Sequence, residues 1–200
     1  MKTILLVGAG GTLGTAVAEH LRQQHHVITA SRSDPMHRVD LASDDSVAAL
    51  LQAVGPLDGI VATTGNVHFG PLTQMSPAQF NQGLQDKLLG QVRLALLGQH
   101  HLRDGGSITL TTGILTEQPI AQGANASSVN AAIEGFVRAA ALELGRGLRI
   151  NAVSPSVLTE ALDAYGDFFP GFEPVSAARA ALAYQRSIDG IANGQVLKVW

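Results

Sequence analysis

The sequence has 200 residues, of which 46% are hydrophobic and 14% charged, and its formal net charge is −3. A chain of this length can bury roughly 70% of the surface that it exposes when unfolded, so it needs no disulfide or metal for stability. This composition excludes a disordered protein, and the small net charge gives no electrostatic basis for binding nucleic acid. The absence of cysteine excludes disulfide scaffolds, zinc fingers, iron–sulfur clusters and thiol nucleophiles.

No segment has the pattern of a targeting or membrane sequence. The apolar run within Met1–Val7 is too short for the core of a signal peptide, and no run approaches the ~20 residues that span a bilayer. No spacing of His, Asp and Glu indicates a metal site. We therefore expect a cytoplasmic protein that has no membrane partner.

Short apolar runs alternate along the chain with longer segments of helical period. The runs predict strands at residues 3–7, 27–30, 38–40 (a weak one), 59–62, 107–111, 148–153 and 195–199. Helices are predicted at 12–23, 43–54, 76–99, 127–144 and 174–185, with Ser43 as an N-cap and Pro77 at a first helical position. This alternation implies βαβ units, so the prediction is a Rossmann-type doubly wound parallel sheet of about seven strands, with helices on both faces, in one domain over residues 1–200.

A glycine-rich turn joins the first predicted strand to the first helix. Gly8, Gly11 and Gly14 follow a Gly-x-x-Gly-x-x-Gly spacing. Glycine is required where the backbone curls, where it approaches a phosphate and where a helix packs closely on a strand. A purely structural turn would look similar, but the position after the first strand favours a dinucleotide-binding site. The residues of the turn that we expect to bind the dinucleotide are Gly8, Gly10, Gly11, Thr12, Leu13 and Gly14.

The residues after the second predicted strand bear on which dinucleotide is bound. A protein that binds NAD places an acidic residue there, whereas this chain has Ser31 and Arg32, followed by Ser33. A guanidinium flanked by hydroxyls suits a 2′-phosphate, so the sequence favours NADP(H) over NAD(H). The alternative is that Arg32 is a solvated loop residue.

Further segments, in order along the chain, carry a family pattern. They are Val39-Asp40-Leu41, residues 58–65 (DGIVATTG), 131–136 (AAIEGF), 149–155 (RINAVSP) and 194–197 (GQVL). With the glycine turn, they make residues 3–199 resemble the short-chain dehydrogenase/reductase family. The resemblance implies a nicotinamide-dependent oxidoreductase with a small-molecule substrate. It also implies that the cofactor-binding residues include Asp40, Leu41, Thr63, Thr64, Gly65, Pro155 and Val157.

The sequence departs from the family pattern at the positions of the family's catalytic residues. The family's Tyr-x-x-x-Lys pair falls on Ala126 and Asn130, its active-site serine on Thr112, and its helical asparagine on Lys87. Hydride addition to a carbonyl builds negative charge on oxygen, which hydrogen bonds and then a proton must meet. In the family the tyrosine donates that proton, while the lysine holds the ribose and lowers the pKa of the tyrosine. Ala126 can do neither.

Lys87 and Thr112 are therefore the candidate catalytic residues. Of the three lysines, Lys87 alone is placed to approach the nicotinamide, and Thr112 keeps a hydroxyl. The alternative for Lys87 is a surface residue whose stem lies on apolar neighbours. His68 and Tyr165 are further acid–base candidates.

Two functions stay open at this point. The first is an NADP(H)-dependent oxidoreductase that acts on an unidentified small carbonyl compound or alcohol. The second is an NADP(H)-binding sensor or scaffold protein that has lost its catalytic tetrad. Phe168, Phe169 and Phe172 either line an apolar substrate pocket or cap the core.

The two longest predicted helices indicate self-association. Leu84, Leu88, Val92 and Leu96 follow one face of helix 76–99, and helix 127–144 is apolar or small on more than one face. Members of the resembled family pair through these helices. We expect a homodimer or homotetramer that associates through the helices around 76–99 and 127–144.

Overall fold

The computed structural model describes residues 1–200 and contains six strands and seven α-helices. The strands are β1 (Thr3–Val7), β2 (His26–Ala30), β3 (Leu57–Ala62), β4 (Leu102–Thr111), β5 (Arg149–Pro155) and β6 (Val196–Val199). The helices are α1 (Thr12–Leu21), α2 (Asp44–Val54), α3 (Pro77–Gly83), α4 (Gly90–Gly98), α5 (Ala124–Glu143), α6 (Leu162–Tyr165) and α7 (Ala177–Asp189). None of them has the length and apolarity needed to cross a membrane.

All six strands pair in parallel in the order β2-β1-β3-β4-β5-β6. The order reverses at β1, which lies between β2 and β3. In doubly wound sheets, ligands bind at the carboxyl ends of the strands beside this reversal. The predicted Rossmann-type architecture is confirmed, and it places the glycine turn after β1 at the expected binding edge.

The sheet has six strands, not the seven that the sequence predicted. Residues 38–40 form only an isolated bridge, between Arg38 and Ser31. Asp34 ends the extended segment that follows β2, because its carboxylate accepts the backbone N–H groups of Met36 and His37 and so forms a turn. The side chain of Val39 is nevertheless buried, which explains why the segment has an apolar residue of strand type.

The core occupies both faces of the sheet because the parallel strands are apolar on both sides. One face, covered by α2, α4 and α5, contains Leu51, Leu94 and Ile133. The other face, covered by α1 and α7, contains Leu21 and Tyr184. With both faces covered by helices, the strands leave the edge at their carboxyl ends open for a ligand.

The predicted helix over 76–99 is divided into parts. It begins as expected, with a capping box between Ser76 and Gln79, but a π-helical segment, Leu84–Leu89, joins α3 to α4. Such segments occur frequently at functional sites. Gly65 has a φ of +113°, and a Cβ there would overlap the side chain of Lys87. The π-helical segment therefore places Lys87 directly against the loop that follows β3.

Candidate cofactor cleft and active site

The glycine-rich turn forms a close junction between β1 and α1. Gly8 has a φ of +98°, and a Cβ at Gly14 would overlap the carbonyl oxygen of Gly8. The N-cap of α1 is Gly11, which has no side chain to cap the helix. The first-turn N–H groups, including those of Thr12 and Leu13, thus have no capping side chain and suit a phosphate.

A cleft of about 280 Å³ extends from this turn along the carboxyl ends of the strands. Nine of the predicted cofactor residues line it: Gly8, Gly11, Ser31, Arg32, Asp40, Leu41, Thr63, Thr64 and Gly65. Gly10, Thr12, Leu13 and Gly14 belong to the turn and to α1, outside this lining. The sequence did not single out Asn66 or Asp86, which also line the cleft.

The cleft contains one basic side chain, that of Arg32, and two acidic ones, those of Asp40 and Asp86. Arg32 is exposed and takes part in none of the ion pairs of the protein. The carboxylate of Asp40 accepts the backbone N–H of Ala42, and that of Asp86 accepts two N–H groups of Asn66. Both acids are thus engaged locally, whereas Arg32 is free to bind an anion.

The lining of the cleft fits a nicotinamide dinucleotide. Besides the uncapped start of α1, the buried hydroxyl of Thr64 has no hydrogen-bond partner within the protein. A buried hydroxyl without a partner is costly, and a bound ligand would relieve that cost. Thr64 also contacts Gly8, since a Cβ at Gly8 would overlap the methyl group of Thr64.

A second cavity, of about 160 Å³, lies on the other side of the contact between Gly65 and Lys87. Four of the predicted site residues line it: Lys87, Thr112, Pro155 and Val157. Ala126 and Asn130, at the two positions of the missing Tyr-x-x-x-Lys pair, line it as well. The structure therefore brings the predicted catalytic residues together at one cavity.

Lys87 reaches across this cavity to helix α5. Its Nζ donates to Oδ1 of Asn130 at 2.8 Å and to the carbonyl oxygen of Thr112 at 3.3 Å. Burial lowers the pKa of Lys87 to about 8, because removal from water disfavours the charged form. Lys87 is half-buried and its ammonium is hydrogen-bonded within the protein, whereas the alternative, a surface lysine whose stem lies on apolar neighbours, would have its ammonium in solvent.

Thr112 lies at the predicted position, but its hydroxyl is directed into α5. It is within hydrogen-bond distance of the carbonyl oxygen of Asn130, at 3.1 Å, and of the Glu134 carboxylate, at 3.2 Å. The residue is 2% exposed. In this arrangement Thr112 supports Lys87 through its carbonyl group, and its hydroxyl is not free for a ligand.

Aromatic side chains cover the second cavity. Phe69 and Phe169 line it, and Phe168 and Phe172 contact them with ring centroids 5.0 Å and 5.4 Å apart, respectively. Tyr165 packs on Phe69 at 5.8 Å. Neither Tyr165 nor His68 lines the cavity. Lys87 is thus the titratable side chain of the cavity.

Sequence reasoning missed two asparagines of α5. Asn125 is fully buried, accepts the backbone N–H of His68 and donates to the carbonyl oxygen of Phe80. By the resemblance alone, Asn130 is only a mismatch to the family's lysine. The signal for both was present, since asparagines on a helix that is apolar or small on more than one face require hydrogen-bond partners.

The fold and the cleft together define an α/β dinucleotide-binding protein of the oxidoreductase type. Residues 8–196 match the family model described as Enoyl-(Acyl carrier protein) reductase. The chain belongs to the short-chain dehydrogenase/reductase family.

Relatives of known name and structure agree with this assignment. Versicolorin reductase stcU of Emericella nidulans is 29% identical over 182 residues, which are 78% of this chain and 69% of that protein. Hydroxynaphthalene reductase arp2 of Aspergillus fumigatus is 30% identical, with coverage of 78% and 66%. The chain thus spans about two thirds of the length of these relatives.

Two solved structures are similar to nearly the whole chain. The protein lin1944 from Listeria innocua superimposes with a TM-score of 0.97 and is 46% identical, with both chains covered completely. A small-chain dehydrogenase in complex with NADPH has a TM-score of 0.88 and 27% identity, with 98% of this chain and 95% of the other covered.

Proposed function

We propose that this protein is an NADP(H)-dependent reductase of a small carbonyl compound, built as one dinucleotide-binding domain over residues 1–200. The observation that carries the proposal is the ammonium of Lys87, held in a cavity that adjoins the glycine-lined cleft. The reductase relatives and the NADPH complex of a similar protein support the same reaction class.

The preference for NADP(H) over NAD(H) is part of the proposal. Its support is the free guanidinium of Arg32, with the Ser31 and Ser33 hydroxyls beside it in the cleft, 3.5 Å apart. Asp34, the first carboxylate after β2, accepts the backbone N–H groups of Met36 and His37 and does not line the cleft, so it is not placed to accept the hydroxyls of an unphosphorylated ribose.

Lys87 performs the acid step in this proposal. NADPH, when bound, supplies the hydride for the carbonyl carbon, so negative charge develops on the carbonyl oxygen. The Lys87 ammonium stabilises that charge and then transfers a proton to the oxygen. A pKa of about 8 keeps the side chain protonated at neutral pH and makes it a better acid than a solvated lysine.

A turnover assay tests the proposed function. The purified protein is mixed with NADPH and a panel of aldehydes, ketones and quinones, and the nicotinamide absorbance is followed. We expect oxidation of NADPH with at least one carbonyl compound. Lys87→Met should abolish it while NADPH binding stays within about twofold, and Lys198→Met, at an exposed ion pair with Glu117, is the matched control.

A binding protein without turnover is the competing function. The specific observation in its favour is that Ala126 stands at the tyrosine position while the Thr112 hydroxyl is directed into α5. Tight NADPH binding without oxidation by any member of the panel would establish this function and overturn the reductase.

We also propose that the protein is a homodimer or homotetramer through α4 and α5. An apolar groove of about 280 Å³ lies between these helices and is lined by Leu96, Phe136 and Leu144. Leu96 is 51% exposed, which is unfavourable for a large apolar side chain beside such a groove.

A further inference from the structure

The amide of Asn130 has one orientation that satisfies its hydrogen bonds. An ammonium group only donates, so the atom of Asn130 that lies 2.8 Å from Nζ of Lys87 is the acceptor Oδ1. The Nδ2 group is therefore on the other side of the amide. It lies next to Gly113, a residue that lines the second cavity, because a Cβ there would be 3.0 Å from Nδ2.

The polar groups of the second cavity are donors. Nδ2 of Asn130 makes no hydrogen bond within the protein, and it faces the same cavity as the ammonium of Lys87. The lining also contains two hydroxyl groups, and both are hydrogen-bonded within the protein. That of Thr112 donates into α5, and that of Ser156 donates to the carbonyl oxygen of Glu173. No carboxylate or imidazole lines the cavity. Oδ1 of Asn130 is already engaged by Lys87, so the two donors face no unengaged carboxylate or imidazole and suit an oxygen that carries negative charge.

The rest of the lining suits a small and flat apolar compound. Phe69, Phe169 and Val67 provide one part of the wall, and Ile114 and Leu115 another. At about 160 Å³, the cavity is smaller than the 300–1,000 Å³ of sites for drug-sized ligands. A single ring matches this space better than a fused polycycle.

We propose that the cavity binds a single-ring compound by an oxygen in its anionic form, with Lys87 and Asn130 as the two hydrogen-bond donors. The inference rests on the proposed function, because the oxyanion formed when a ring ketone is reduced is the species that this site would stabilise. It adds a substrate class and assigns Asn130 as a catalytic residue. A phenolate has the same ring and the same anionic oxygen, and it serves as a probe that requires no turnover.

Binding of 4-nitrophenol tests the proposal, because its phenol and phenolate forms absorb at different wavelengths. The titration is made with and without NADP⁺, at a pH below the pKa of the free probe. We expect the bound probe to be the phenolate, with its pKa lowered by about 1 unit, which is a tenfold preference for the anion. Nitrobenzene, with the same ring and no ionisable oxygen, should show no dependence on Lys87.

Variants separate the two donors. Lys87→Met should remove the pKa shift of the probe. Asn130→Leu should weaken phenolate binding at least tenfold, with Asn81→Leu, at an exposed position of α3, as its control. Asn130→Asp keeps the shape of the side chain but replaces the Nδ2 donor with an oxygen. It should weaken phenolate binding as well, and it covers the case in which the leucine variant does not fold.

The proposal is overturned if the probe binds as the neutral phenol, or if the shift persists in Lys87→Met. It is also overturned if Asn130→Asp binds the phenolate as tightly as the unaltered protein does. If the phenolate binds through both residues but NADPH is not oxidised with any carbonyl compound, the inferred binding site is supported and the proposed reductase function is overturned. Turnover of an open-chain aldehyde by a protein that does not bind the phenolate would do the reverse.

Discussion

The side chains of Lys87 and Asn130 are in contact. By the correspondence predicted from the sequence, the family's asparagine falls on Lys87 and its lysine on Asn130, so the two residue types would be exchanged in this chain. Because the two side chains are in contact, a lysine at either position would place its ammonium in the same part of the cavity, whether it extends from the π-helical segment or from α5. The ammonium is retained, whereas the tyrosine is replaced by Ala126.

The rate of reduction should depend on pH through Lys87. The ammonium is the acid form, and its pKa of about 8 means that it loses its proton as the pH rises past that value. We expect kcat/KM for carbonyl reduction to be level below pH 8 and to fall tenfold per pH unit well above it. On the same two elements, the carboxylate of Asp86 is bound to Asn66 and that of Glu134 is paired with Arg138.

A pH–rate profile, measured with a substrate identified in the panel of carbonyl compounds, checks this prediction. A profile that stays level to pH 10 would show that Lys87 does not supply the proton. Asn130→Asp gives the internal control, because a carboxylate beside the ammonium should move the fall in rate to higher pH.

Arg32 should determine the affinity for the 2′-phosphate. Arg32→Ala should weaken NADP(H) binding about 10- to 100-fold, the loss expected for a hydrogen bond between charged groups, and leave NAD(H) binding nearly unchanged. Isothermal titration with each cofactor measures both affinities. Arg186→Ala, at an exposed position of α7, is the control. Equal affinity of the unaltered protein for the two cofactors would contradict the prediction.

At the scale of elements, the π-helical segment and the loop after β3 can pack this closely because residue 65 is glycine. Gly65 combines a left-handed φ with a contact that leaves no space for a Cβ beside Lys87. Gly83, at the other end of this junction, leaves no space for a Cβ beside Asn125. These two contacts place the lysine at the cavity, so local backbone conformation contributes directly to the site.

Gly65→Ala should destabilise the protein more than a left-handed φ alone explains. Gly55 also has a positive φ, +72°, but no atom lies within 4 Å of a Cβ placed there. Gly55→Ala should therefore cost about 1–3 kcal/mol, from backbone strain alone. Gly65→Ala should cost about 1–3 kcal/mol more, from overpacking, and should weaken NADPH binding. Urea denaturation of the two variants measures the difference, and equal costs would show that the contact with Lys87 is not restrictive.

The same elements show which features of secondary structure the sequence pattern can predict. The period of the apolar residues predicted a helix over 76–99, and the capping residues Ser76 and Gln79 begin it as expected. The π-helical segment within it was not predicted, because its cause is close packing against Gly65 and α5 rather than a local preference. The weak strand at 38–40 was wrong for a similar reason, since burial of Val39 produces the same pattern as a strand.

At the scale of the whole molecule, the apolar groove between α4 and α5 indicates where a second copy would bind. Leu96→Glu places a charge at this groove and should convert the oligomer to a monomer. Light scattering at micromolar concentration measures the mass. Leu182→Glu, at a 55% exposed position of α7, should leave the assembly intact. A monomeric unaltered protein would contradict the prediction at once.

The sequence by itself determined the alternation of strands and helices, the glycine turn after β1 and the absence of the Tyr-x-x-x-Lys pair. These features depend on neighbours in the chain or on residue identity, so pattern and spacing reveal them. The tertiary structure decided that Lys87 donates to Asn130, that the Thr112 hydroxyl faces α5, and that both donors open into one aromatic cavity. Those facts depend on how α5, β4 and the π-helical segment pack together, since the contacting residues lie between 18 and 43 positions apart in the chain.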